Sequence, residues 1–364
     1  MTATAVADVR PTSTPPVRRR RVVRVGPVAV VVRPRLLIAS AASVVLTLTV
    51  LVVGLGVGDF PLGPADVIHI LLGGGTRVEN VVVFDVGLPR VVLAILVGLG
   101  LGLSGALTQT VARNPLATPD ILGITAGASA AAVVTIAFGS TWGAWLSGVG
   151  LPVAALLGGL LGAVLMYALA WRGGIDPFRL VLVGVALTWV FQAIVSFGLT
   201  RAQINDVARA QRWLVGSVSA ATWTSVAGLA GALVVGLVVV ASIARGLSLL
   251  SLGDDLARGL GVRADAVGVI ALLVAVVVSA LTVAAAGPVA FVALLAPQIA
   301  QRLGGTPSPP PVLSGLFGAV LVSGADLLCR SVLPGGLAVG VVTAAIGGPF
   351  LIYLMIAVSR KASA

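Results

Sequence analysis

From residue 36 almost to its end, the sequence keeps returning to apolar runs about 20 residues long, the length a helix needs to cross the hydrocarbon core of a bilayer. Bounded by Arg, Pro, Gly or polar clusters, these runs fall at 36–58, 90–111, 120–138, 147–170, 179–200, 223–245, 264–285, 287–303, 312–328 and 338–359. Composition excludes a water-soluble fold. Of the 364 residues, 58% are apolar and only 10% charged, against roughly 25% charged in an ordinary soluble domain. The fold expected is an all-α polytopic membrane protein with about ten transmembrane helices, forming one domain over 36–364 behind a disordered basic tail, 1–35.

The net charge of +11 is concentrated in that tail, where eight arginines, Arg18 to Arg21 among them, stand against one aspartate. Rich in Pro, Thr and Arg and without apolar periodicity, the tail reads as disordered. Its charge is a topology signal, because cytoplasmic flanks collect Arg and Lys; it is compatible with contact to anionic lipid and is not a nucleic-acid footprint. With the tail inside and the spans alternating, only Arg77, Arg90, Arg201, Arg209, Arg212 and Arg330 of the 23 basic residues fall outside. Both termini are therefore expected in the cytoplasm. The apolar stretch after the tail is longer than the core of a cleaved signal peptide.

Few residues are available for chemistry. Cys329 and His69 are each the sole residue of their type, so neither an intrachain disulfide nor a histidine metal site can form. A nucleotide-binding loop requires a lysine, and the only one is Lys361, in the C-terminal tail. Glu79 is the only glutamate, and Asp120, Asp265 and Asp326 lie at predicted span ends. A proton relay has no obvious carboxylates to use, which leaves ion-coupled transport only backbone-carbonyl ion sites. An intramembrane enzyme would need a nucleophile with its base, a metal cluster or paired acids. No catalytic residue, metal ligand or cofactor is expected in this chain.

What remains is packing, polarity and surface. Gly98, Gly102 and Gly105 share one face, continued by Gln109, and Gly158 and Gly162 repeat the spacing, as close helix contacts in membranes require. Gly184, Thr188, Gln192, Ser196 and Thr200 recur every fourth residue, a slowly winding polar stripe that suits a pathway lining or interhelical hydrogen bonds. Two connections are patterned. Residues 59–89 contain an amphipathic piece around Ala65 to Leu72, and residues 246–263 place Asp254 and Asp255 after Gly253, at a helix N-terminus, with Leu256 and Leu260 on one face and Gly261 as a stop. That second piece fits a protein-docking surface or a helix in the lipid interface.

The stretch Arg113-Asn114-Pro115-Leu116-Ala117, followed by Pro119-Asp120 and Leu122-Gly123, resembles the iron-siderophore and vitamin B12 type permeases of ABC importers. Further matches run through Leu88-Pro89-Arg90, Trp171 to Leu180, Trp213 with Gly216-Ser217, Leu252 to Asp255 with Leu260-Gly261, Gly287 to Val292, and Ala325-Asp326. The ferric-enterobactin branch is the most similar, notably at 171–180 and 252–262. The resemblance implies a type II ABC importer permease fold in the bacterial plasma (inner) membrane. Its partners would be a second, non-identical permease subunit, two copies of a cytoplasmic ATPase that uses ATP and magnesium, and an extracytoplasmic siderophore-binding protein. It implies import of a ferric siderophore of catecholate type, with cobalamin or haem as alternatives. It also assigns roles: Arg90 and Arg330 to docking of the binding protein; Gly253, Asp254, Asp255, Ala257, Leu260 and Gly261 to ATPase coupling; Ile175, Asp176, Pro177 and Phe178 to an inner gate; and Thr188, Gln192 and Ser196, with Gln109, to the substrate path. Three positions depart from the family pattern: Gly87 stands where Arg is common, and Gln298 and Gln301 where His and Arg are usual.

Overall fold

The computed structural model describes residues 21–25, 28–58, 60–139, 150–170, 177–333 and 337–362. A two-stranded antiparallel hairpin, β1 (Arg21–Val25) and β2 (Val28–Val32), pairs Arg21 with Val32 ahead of the membrane domain. Helices follow: α1 (Pro34–Gly56), α2 (Pro64–Leu71), α3 (Arg77–Ala112), α4 (Ile124–Phe138), α5 (Leu151–Ala170), α6 (Pro177–Arg201), α7 (Ile204–Leu214) and α8 (Trp223–Leu250). They continue with α9 (Asp254–Gly259), α10 (Ala264–Ala286), α11 (Val292–Gly304), α12 (Pro311–Ser331) and α13 (Val339–Ala362). Pro34, Pro64 and Pro311 stand in the first turn of their helices, where a missing N–H costs nothing and the fixed φ favours the start.

Each of the ten apolar segments becomes a helix, but only eight helices among the described residues are long and apolar enough to cross a membrane. The other two, α4 with 15 residues and α11 with 13, fall short. The apolar run expected from 287 does not become helical until Val292. Gly287 (φ +72°) and Phe291 (φ +66°) adopt left-handed backbone on either side of Pro288, and a Cβ at Gly287 would lie 2.5 Å from the Trp213 carbonyl. At the same place Ser217 N–H donates to the Ala286 carbonyl (2.7 Å) and Gly340 N–H to the Gly216 carbonyl (3.2 Å). The connection after α7, the end of α10 and the start of α13 therefore meet backbone to backbone.

The third helix starts earlier than the apolar run that predicts it. Thr76 and Glu79 form a capping box: the Thr76 N–H and hydroxyl donate to Glu79 Oε2 at 2.6 and 2.9 Å. From that cap the helix passes through a π-helical segment, Val81–Gly87, into the membrane. The Trp223 indole at the start of α8 donates to the Phe84 carbonyl within that segment (3.2 Å). The amphipathic helix α7 occupies a connection that shows no apolar run of spanning length.

Helix α3 is the centre of the bundle, with 78% of its apolar window buried. It gets there through absent side chains: a Cβ at Gly98 would lie 2.1 Å from the Gly318 carbonyl of α12, one at Gly102 2.1 Å from Ser314 O, and one at Gly105 1.9 Å from Ala293 O of α11. Helices α4 and α5 meet in the same way at Gly127 and Gly158. In a bilayer, where burial of apolar surface gives helices no preference for each other over lipid, such approach is what makes packing favourable.

Candidate functional site

Three groups of residues carry polar chemistry: one at each end of the bundle and one on the face of α6. At the first end, α8 runs on to Leu250 and the chain turns through Gly253 (φ +108°) into the six-residue α9, leaving at Gly261 (φ +81°) toward α10. Ala257 is fully buried and anchors the segment, whereas Leu252, Leu256 and Leu260 are 55%, 61% and 62% exposed. Asp255 is fully exposed, with Arg258 of its own helix 3.9 Å away. Asp254 is half-exposed and pairs across to Arg113. The Arg258 guanidinium lies 3.2 Å from Asp265 on α10, closing the other side.

Arg113 takes left-handed backbone (φ +49°) as the C-cap of α3, and its Nε donates to the Leu250 carbonyl at the end of α8 (3.2 Å). Behind it, Asn114 Oδ1 accepts from the Leu116 N–H (2.9 Å), an Asx-type turn. Pro119 then opens a single 3-10 turn, Pro119–Leu122, in which Asp120 accepts the Thr125 hydroxyl from the first turn of α4. The Arg-Asn-Pro motif is thus the reversal that joins α3 to α4, and its arginine reaches across to the α8–α9 corner. Of the gate residues, Ile175 and Asp176 lie outside the described residues, while Pro177 and Phe178 begin α6.

At the opposite end, Arg90 and Arg330 are brought together by a residue the sequence placed only at a span end. Arg90 Nε and Nη2 donate to Asp326 Oδ1 at 3.1 and 2.9 Å, and Arg330 Nη2 lies 3.0 Å from Asp326 Oδ2. Arg330 Nη1 also donates to the Gly54 and Val57 carbonyls, both at 2.9 Å, satisfying the C-terminus of α1 with a cation, as its dipole favours. The Asp326 side chain is 1% exposed, and those of Arg90 and Arg330 are 26% and 14%. Two guanidiniums around one carboxylate leave a surplus positive charge. The Asp326–Arg330 half was legible as an i,i+4 acid–base pair; the Arg90 contact, 236 residues away, was not.

The third group divides. Thr188, Gln192 and Ser196 lie exposed on one side of α6. The Thr188 hydroxyl is satisfied by the Gly184 carbonyl (2.8 Å), whereas the Gln192 amide makes no hydrogen bond within the described residues. Gln109 sits elsewhere, buried against α11. Pro297 inside α11 has no N–H for the Ala293 carbonyl four residues back, and Gln109 Nε2 approaches that carbonyl (3.4 Å) and Leu294 O (3.3 Å). Gln298 Nε2 donates to Gln109 Oε1 (2.7 Å), and Gln301 Nε2 to Pro307 O (2.8 Å). Gln109 thus closes a gap in a helix while its far side borders a cavity of about 290 Å³ shared with Arg113, Asn114, Ser251 and Gln298.

None of the three groups resembles a metal centre: among the described residues no three His, Cys, Asp or Glu side chains cluster. Cys329 is buried, and His69 packs against Gly74.

Residues 46–357 match the FecCD transport family. The chain is 37% identical over 329 residues to the ferric enterobactin transport system permease protein FepG of Escherichia coli (strain K12), covering 90% of this chain and 98% of that one. It is 38% identical over 324 residues to the iron(3+)-hydroxamate import system permease protein FhuG of Bacillus subtilis (strain 168), covering 88% and 96%. Among solved structures, an inward-facing conformation of a metal-chelate type ABC transporter superposes with a TM-score of 0.74 at 26% identity, over 88% of this chain and 99% of that one.

Proposed function

The chain belongs to the FecCD transport family, and on that premise we propose that it is the membrane-spanning permease subunit of an ABC importer that brings a ferric siderophore across the bacterial plasma membrane. The observation that carries this reading is α9 with its flanking turns: a short segment that buries one alanine and turns three leucines, Leu252, Leu256 and Leu260, and a carboxylate outward, beyond the end of the spans. Each leucine taken from water into a partner's groove contributes about 2 kcal/mol. A cytoplasmic ATPase is the partner assigned to that patch. ATP and magnesium act there, on the separate subunit.

The end that carries α9, with both termini, faces the cytoplasm. At the other end the surplus positive charge of the Arg90–Asp326–Arg330 cluster receives carboxylates of a siderophore-binding protein. A second, non-identical permease subunit completes the path, lined from this chain by Thr188, Gln192 and Ser196; residues 175–178 form its inner gate. ATP-driven movement at α9 alternates access between the two ends. A ferric catecholate is the cargo favoured by the FepG likeness, although the equal likeness to a hydroxamate permease means that the test must compare both.

The test is uptake by vesicles holding the two permeases and the ATPase, loaded with ATP and given binding protein with the iron-55 ferric chelates, iron-55 haem or cobalt-57 cobalamin. ATP-dependent accumulation of a ferric catecholate above hydroxamate, cobalamin and haem is expected. Uptake that ignores ATP and follows a proton or sodium gradient overturns the importer reading, and preference for another chelate overturns the cargo alone.

A further inference from the structure

Helix α9 is too short to transmit force on its own. At six residues it is far below the roughly 12–15 at which isolated helices become even marginal in water, and it hangs between Gly253 and Gly261, both at positive φ, where an added Cβ would meet nothing within 4 Å. A push on Leu256 and Leu260 would turn it about these open joints unless the bundle holds it. Ala257, buried in the core, pins its middle, and two guanidiniums fix its orientation, unequally. Arg258 ties α9 to α10, the next helix in the chain. Arg113 ties Asp254 and the Leu250 carbonyl to the end of α3, the helix that touches α12 and α11 backbone to backbone.

One turn before Arg113 on α3 sits Gln109, which holds the proline-broken part of α11. Asp254, Arg113, Gln109 and Ala293 therefore form a connected line from the exposed patch into the bundle. The 290 Å³ cavity lies along its flank, between Ser251 and Gln298.

We propose that Arg113 is the positioning residue that couples α9 to the membrane core, locking the docking helix to α3 so that movement imposed on the leucines reaches α3 and α11. This rests on reading α9 as the ATPase-docking surface. The Arg113 and Asp254 side chains are 42% and 45% exposed, and such ion pairs contribute little to stability, so losing the tie affects coupling and leaves the fold in place.

The experiment measures uptake per ATP hydrolysed by the complete transporter in proteoliposomes, together with ATPase co-purification and thermal unfolding. Arg113→Gln and Asp254→Asn are each expected to lower the ratio at least fivefold with the ATPase still bound and the unfolding temperature unchanged, and Arg113→Lys to recover at least half of it. A wild-type ratio in Arg113→Gln, or a loss in Arg113→Lys as deep as in Arg113→Gln, overturns the proposal. If Arg113→Gln does not assemble, Asp254→Asn decides by the same ratio. Failure of the docking reading looks different: the ATPase would remain bound to a Leu256→Glu chain.

Discussion

Removing the Asp326 carboxylate would leave the Arg90 and Arg330 guanidiniums facing each other at a site largely closed to water. Breaking a buried ion pair from one side costs about 3–5 kcal/mol, because the remaining charge is stranded. Asp326→Asn is expected at the lower end of that range, near 3 kcal/mol, since Arg90 is partly exposed and can turn to solvent; the unfolding temperature of the purified chain checks it, and no change would mean the cluster does not hold α1, α3 and α12 together. Gln109 makes a second such case. Gln109→Leu keeps the volume but strands the Ala293 carbonyl, which Pro297 leaves without a helical donor, and the Gln298 amide, at about 1–3 kcal/mol for each group left dry. Adding Gln298→Met should recover part of the loss, a coupling that a double-mutant cycle measures directly. Gln298 and Gln301 had no account from sequence because their partners are set by the fold: Gln298 reaches a helix 189 residues away, and Gln301 holds the turn after its own helix. At Gly87, where the resembling family commonly has Arg, the backbone is closely approached, by less than would by itself exclude a side chain. A Cβ there would lie 3.1 Å from Leu55 and 3.3 Å from the Val82 carbonyl.

Hydrophobic length located every spanning element, and failed where backbone chemistry sets the boundary. The Gly287–Phe291 stretch is as apolar as the helices beside it, so only its positive-φ residues separate it from α11. Conversely, the Thr76–Glu79 capping box is a readable Thr-x-x-Glu signature outside any apolar run, and it begins α3 thirteen residues before the apolar segment at 90. Helix α9 was readable because its signals are local: two aspartates at the start, glycines at both ends and leucines on one face. What the sequence could not show is that its two aspartates differ in partner, Asp254 paired across to Arg113 at the end of α3 and Asp255 only with Arg258 of its own helix. That difference predicts the behaviour of the element. Leu256→Glu puts a charge into the leucine patch and should abolish co-purification of the ATPase while changing stability by less than about 0.5 kcal/mol, as exposed substitutions usually do. Asp255→Lys should weaken the same contact and leave the Arg113 tie intact.

At the scale of the whole molecule, the spans differ in how much of each the chain itself covers, from 11% of the apolar window of α1 to 78% of that of α3. Outer faces made of Leu, Val and Ile can meet lipid directly. The face of α6 cannot do so everywhere, because an amide placed in hydrocarbon without a partner costs several kcal/mol, and Gln192 has no partner within the described residues. This face therefore requires water or the polar side of another subunit. Cysteine chemistry separates it from lipid-facing surface, since maleimides react with the thiolate, which forms in water and not in hydrocarbon. The chain's single cysteine, Cys329, is buried and gives little background. In the assembled transporter, Gln192→Cys and Ser196→Cys should react with a water-soluble maleimide and be protected by loaded cargo. Val190→Cys and Ile194→Cys, each about half a turn away from Gln192, should react at least tenfold more slowly. Equal rates at all four positions would remove α6 from the path and leave its polar row to interhelical hydrogen bonds.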